Sequence, residues 1–310
     1  MIRSITAPMS KTTQTSGINT PIVFFGTEDH SLIALQALVD AGYPVAAVVT
    51  KPDMPKGRGK RLTAPAVKTY STEKNIPVWQ PTKLKEITEA IKQLGNPVGV
   101  LVSFGKIIPQ ATLDLFTPGI INVHPSLLPL YRGPSPIESA ILNRDNKTGV
   151  TIMKLEAAMD AGPIYVQVPY ALDFTETKPE LYDTLFTLGA NLLVSNLASI
   201  VSGELQPTAQ DESAATYCSL LNKDMSPLDL SKLTPGDAEA HVRAYLGFPR
   251  SRVTIGQYNL IITKAHGVMT KETPLDLVCA NGAFLAIDEV IAPSGKTMSA
   301  KEFLRGYPLA

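Results

Sequence analysis

The chain has 310 residues, 44% hydrophobic and 18% charged, which suits two soluble domains of ordinary composition. Lys plus Arg equals Asp plus Glu at 28 each, so bulk charge indicates no anionic partner and any nucleic-acid role must rest on local clusters. Two cysteines, Cys218 and Cys279, in no CxxC pattern and near no His pair, exclude a disulfide framework and a zinc site, and both read as buried small hydrophobes in a reducing compartment.

Residues 1–20 are polar, rich in Ser and Thr and free of acids. Without an apolar stretch they make a poor secretory signal and read as a disordered extension, with an organelle transit segment as the other option. Elsewhere no apolar run approaches the ~20 residues that span a bilayer, so no membrane partner is expected.

From Pro21 the pattern is regular. Residues 21–26 (PIVFFG) form a short apolar run ending in Gly, a buried strand. Leu32, Leu35, Leu38 and Val39 recur at helical spacing, and Gly42 stops that helix. Val45–Thr50 is a second strand, followed by a Pro, Gly and basic loop. Helices are expected over Pro65–Lys74, Lys83–Leu94 and Pro109–Phe116, and strands over Val98–Phe104 and Gly119–His124. Such alternation predicts an α/β domain with a Rossmann-like, mostly parallel sheet covered by helices on both faces. Ligands of such sheets bind beyond the carboxyl ends of the strands. Two extended runs over 148–170 flank a turn containing Asp160, and a long helix over Tyr182–Ser202 closes the domain.

After Gly203 the texture changes. Gln206–Ser213 is polar linker material, and only Pro235–Tyr245 keeps helical periodicity. Short runs between Gly- and Asn-bearing turns predict a smaller β-rich domain of sandwich or barrel type. The expected division is an extension over 1–20, a first domain over 21–205 and a second over 206–310.

At the end of the Gly119–His124 strand, Asn122 and His124 are two residues apart and project from one face. Four prolines in the twelve residues after His124 stop the strand and stiffen the loop that follows. An amide beside an imidazole suits stabilisation of a tetrahedral oxyanion together with proton transfer at neutral pH. Asp160 is the best-placed carboxylate to orient the imidazole and support its cation. On these residues alone the pair serves structure as readily as catalysis, and an Asp before Ala-Gly is a common turn residue.

The run from Asn122 through Pro129, with Tyr131, Arg132, Gly133, Thr148–Ile152 and Met159–Gly162 at the same spacing, resembles the signature of the folate-dependent formyltransferases. The resemblance implies that Asn122, His124 and Asp160 are the catalytic three and that Ser126, Leu127, Leu128 and Pro129 lie along the folate. It also implies 10-formyltetrahydrofolate as formyl donor and co-substrate, with no metal. Phe25–Thr27 and the loop Lys51–Arg61 are similar to the branch of the family that formylates methionyl-tRNA (initiator). That loop carries Lys51, Lys56, Arg58, Lys60 and Arg61 against Asp53 alone. A mobile cationic arm can lie along phosphates, and the resemblance makes Lys56, Arg58, Lys60 and Arg61 tRNA contacts. In that branch the second domain is a barrel resembling an oligonucleotide-binding fold, here with ten Lys and Arg against eleven Asp and Glu over 206–310. The resemblance further implies a cytoplasmic monomer. A relative formylating a nucleotide-linked amino sugar would share the catalytic three without a use for the arm.

Overall fold

The computed structural model describes residues 18–56, 59 and 61–309. The Asn122–Val123 peptide bond lies between two compact units, one of residues up to 122 with 190–206, the other of 123–189 with residues from 207 onward.

The first unit begins with β1 (Ile22–Gly26), α1 (Ser31–Asp40) and β2 (Val45–Val49). A short antiparallel ladder follows, β3 (Met54–Lys56) with β4 (Arg61–Thr63), so the expected basic loop returns on itself as a hairpin. Next come α2 (Ala66–Glu73), β5 (Val78–Trp79), α3 (Thr88–Gln93), β6 (Val98–Val102), α4 (Gln110–Leu113) and β7 (Ile120–His124). The helix expected over 83–94 opens as a 3-10 turn, Leu84–Ile87, where the Glu86 carboxylate accepts the Thr82 and Lys83 N–H groups at 3.2 and 3.0 Å. Strands run parallel in the order β5-β2-β1-β6-β7. Phe24, Phe25, Val48, Val100 and Ile121 are fully buried, as strands covered on both faces require. Each such side chain contributes roughly 1.5–3 kcal/mol. The chain moves outward from β1 to β2 and β5, then crosses back to β6 and β7. The order therefore reverses between β1 and β6, which places a switch point at the carboxyl ends of those strands.

The second unit contains α5 (Pro136–Leu142) and the antiparallel pair β8 (Lys147–Lys154) and β9 (Ile164–Ala171). Helix α6 (Lys178–Ser202) starts in this unit and ends in the first. By length and composition α6 could cross a bilayer, unlike the expectation from sequence. Its buried residues Leu181, Leu185, Phe186, Ala190, Leu193, Leu197 and Ile200 nevertheless recur at steps of three or four apart from the adjacent Leu185 and Phe186, the stripe of a core helix.

Beyond it stand α7 (Pro235–Ala244), β10 (Ser251–Ile255), β11 (Tyr258–Val268), β12 (Leu277–Val278), β13 (Phe284–Ile291), β14 (Thr297–Ser299) and α8 (Ala300–Gly306). The five strands form one antiparallel sheet in the order β10-β11-β13-β12, with β14 on β13. Alternation along β10 turns Val253 and Ile255 into a core shared with Val242 of α7, Leu285 and Phe303 of α8. Helix α8 has too few turns to show periodicity; its signal is the reciprocal cap in which Ser299 and Glu302 exchange hydrogen bonds.

His241 of α7 gives a pH prediction. Burial holds its imidazole below the usual value, with Asp237 pulling weakly the other way. The unfolded chain then binds the extra proton first. Stability from this residue should be complete above about pH 6.5 and fall as pH drops through that value toward the folded one. Urea midpoints at pH 7.5 and 5.5 should show the decline in the parent and a smaller one in His241→Gln; equal declines would discard the assignment.

Candidate active site

Strand β7 delivers Asn122 and His124 to its carboxyl end, both nearly buried at 5% and 4% exposure. Their spacing turns both side chains to one face of the strand. The loop after His124 is then tied down residue by residue. The Ser126 hydroxyl donates to the Leu130 carbonyl at 2.6 Å, and Thr151 Oγ1 donates to the Ser126 carbonyl at 2.6 Å. Gln167 donates to the Leu128 carbonyl at 2.7 Å and to Thr151 Oγ1 at 2.8 Å. Of the four residues expected along the folate, Ser126 and Leu128 are therefore interior anchors, while Leu127 and Pro129 are half-buried and reach the surface.

His124 Nε2 lies 3.0 Å from the Tyr131 carbonyl oxygen. A carbonyl only accepts, so Nε2 carries the hydrogen, and Nδ1 is the nitrogen left to gain or lose a proton. Nδ1 faces Asp160 Oδ2 at 3.8 Å, wider than a direct hydrogen bond. Asp160 is 16% exposed and its Oδ2 accepts the Gly133 N–H at 2.8 Å. The arrangement can hold an imidazolium beside a carboxylate, or pass a proton between them, next to an amide on the same strand.

Asp160 adopts φ 48°, left-handed for a residue with a side chain. The turn it starts needs Gly162, because a Cβ there would collide with the Lys154 carbonyl. Gly133 is needed as well: its φ is 119° and a Cβ would stand 2.5 Å from the Cys218 carbonyl oxygen.

The segment after Gln206 is not a free linker. Arg132 donates its backbone N–H to the Thr216 carbonyl and receives that of Cys218, each at 2.8 Å. Its guanidinium, 1% exposed, is held bidentately by Glu212 at 2.9 and 2.6 Å and contacts Gln210 and Tyr217. Those bonds hold the guanidinium well above its usual range and the Glu212 carboxyl below its own. A buried cation without such partners would cost several kcal/mol. Nothing in the composition of 206–213 announces this, since the partners are 78 and 80 residues from Arg132. Cys279 is buried as expected, whereas Cys218 is half-buried against this loop, and burial pushes both thiols up. Tyr131 donates its hydroxyl to Asp145 at 2.6 Å, and burial with that bond pushes its pKa up to about 12. Among the described residues no cluster of three or more His, Cys, Asp or Glu could hold a metal.

The basic arm belongs to the first unit. Asp53, its one acid, pairs with Lys68 of α2 at 2.8 Å and accepts from Gln80 at 2.9 Å, which keeps its carboxyl low. Arg61 is exposed on β4 and Lys56 ends β3, while Arg58 and Lys60 lie outside the described residues.

Residues 21–197 match the family model described as formyl transferase. The chain is 36% identical over 302 residues to the methionyl-tRNA formyltransferase of Myxococcus xanthus, covering 93% of this chain and 96% of that one. With the methionyl-tRNA formyltransferase of Geobacillus thermodenitrificans it shares 38% identity over 307 residues, covering 93% and 94%. In fold it is similar to the N-formyltransferase from Helicobacter canadensis solved with folinic acid and dTDP-3-aminofucose, at a TM-score of 0.67 and 18% identity, covering 86% of this chain and 98% of that one.

Proposed function

The chain belongs to the formyl transferase family, within its methionyl-tRNA formyltransferases, and from that premise we propose that it moves the formyl group of 10-formyltetrahydrofolate onto the α-amine of initiator methionyl-tRNA. The product, N-formylmethionyl-tRNA, serves translation initiation, and the enzyme acts as a cytoplasmic monomer. The observation that carries the acceptor assignment is the reach of the identity: it runs through the second β-rich part as well as the formyl transferase region.

The neutral amine attacks the formyl carbon, a C–N bond forms, and the carbonyl oxygen takes up negative charge. Asn122 and the Nδ1–H of protonated His124 stabilise that oxyanion, a task in which one preorganised donor is worth ~10²–10³-fold. Asp160 supports the cation and receives the amine proton. The bond from carbon to the folate nitrogen then breaks, and that nitrogen leaves with the proton that Asp160 took from the amine. Leu127 and Pro129, half-buried on a loop pinned beside His124, offer a flat heterocycle an apolar edge. No step calls for a metal or nucleotide cofactor.

The test is incubation with labelled formyl donor and total aminoacyl-tRNA, followed by identification of the labelled aminoacyl group. Label on methionine is expected; methionyl-tRNA left unlabelled would overturn the reading. Arg58→Ala should weaken use of methionyl-tRNA while leaving donor binding nearly intact. Loss of one phosphate contact should also flatten the salt dependence of tRNA binding by roughly one log–log unit. Adding Lys60→Ala and Arg61→Ala should deepen the defect, and full activity after all three changes would demote the arm to a solvated hairpin.

A further inference from the structure

Arg132 stands between the two backbone groups that hold His124 and Asp160. The carbonyl before it, of Tyr131, takes the His124 Nε2 hydrogen, and the N–H after it, of Gly133, reaches Asp160 Oδ2. All five guanidinium N–H donors have acceptors: Nε and Nη2 reach Gln210 Oε1 at 3.1 and 2.9 Å, Nη1 and Nη2 reach Glu212, and Nη1 also reaches the Tyr217 hydroxyl at 3.2 Å. Gln210 closes the circuit. Its Nε2 donates to the Asp160 carbonyl and to the Gly162 carbonyl, both at 2.7 Å. A side-chain amide has two donors and two lone pairs, and Gln210 uses all four.

We infer that Gln210 is a positioning residue for catalysis, resting for its activity readout on the formyl-transfer reading above. It fixes the left-handed backbone of Asp160 directly and, through Arg132, the loop whose carbonyl fixes the His124 ring. Sparsely populated backbone conformations persist only where neighbours over-determine them, and Gln210 is the neighbour that reaches both sides. The segment that follows the formyl transferase region thereby becomes part of the active site, although Gln210 itself touches no reacting atom. A clasp serving stability alone would hold Arg132 but would have no bearing on the His124–Asp160 geometry.

Gln210→Glu separates the two roles. The carboxylate still accepts from Arg132, so the loop stays anchored, but it cannot donate to the Asp160 and Gly162 carbonyls. Turnover should fall about 10-fold or more, as small misplacements of reacting groups do. The KM values for folate and methionyl-tRNA should stay within about 2-fold, since uniform binding is untouched. The ¹⁵N signature of the His124 ring, recorded without substrates, should change as Nδ1 loses its fixed partner. If Gln210→Glu does not fold, Gln210→Met, of similar shape, removes the Arg132 contact along with the two donors, and the turnover, KM and ¹⁵N readouts apply to it unchanged. Turnover within about 2-fold of the parent together with an unchanged His124 signature would overturn the inference, whatever the change in melting temperature. A parent chain that leaves methionyl-tRNA unformylated while the Gln210→Glu signature still shifts would overturn the acceptor reading and keep the positioning role.

Discussion

Replacing His124 by Ala should lower turnover by ~10²-fold or more while the protein still folds. The expectation comes from how the ring is held. Its Nε2–H is committed to the Tyr131 carbonyl, so Nδ1, facing Asp160, is the position that can carry the working proton. The structural loss is one the fold can absorb. A Tyr131 carbonyl left with only the Cys218 thiol, at 3.7 Å, costs at most roughly 1–3 kcal/mol, within the ~5–15 kcal/mol that stabilises an ordinary domain. Single-turnover formyl transfer measured beside urea unfolding reports both quantities. His124→Gln sharpens the result, because an amide can donate to the Tyr131 carbonyl but cannot become a cation. Parental turnover in either variant would remove His124 from the mechanism. Failure of both to fold would make it a core histidine.

The parts of this site legible in the sequence are those set by local chemistry. Apolar runs ending in Gly or His mark the strands, and the proline-rich segment after His124 marks where β7 must stop. Asn122 and His124 follow from the two-residue period of that strand, and Asp160 follows from its turn. What stayed hidden is held by long-range pairing. Arg132 meets Gln210 and Glu212 across 78 and 80 residues, and a Gln in the polar run Gln206–Ser213 has the composition of a linker whether or not it is clamped. Helix α5 was hidden for a related reason. Pro134 and Pro136 signal a break, although Pro136 at the first helical position is compatible with starting one. The hairpin of β3 and β4 escaped because three-residue strands, one containing Pro55, show no usable alternation.

Asp160→Asn should lower turnover by ~10²-fold or more with the KM for either substrate little changed. The substitution removes charge and leaves shape. Asp160 Oδ2 takes the Gly133 N–H at 2.8 Å, and the oxygen of an Asn amide can take it equally, so the loop keeps that anchor. An Asn NH₂ turned toward His124 Nδ1 would donate to it and favour the neutral ring, the reverse of what a carboxylate does. The oxyanion would then face an unprotonated nitrogen, and the amine proton would have no carboxylate to receive it. Asp160→Ala loses the Gly133 anchor as well, so its defect should be at least as deep and should add a fall in stability. The comparison decides which property matters. Parental turnover in Asp160→Asn, beside a crippled Asp160→Ala, would reduce Asp160 to the acceptor that holds Gly133, and the charge beside His124 would have no part in the chemistry.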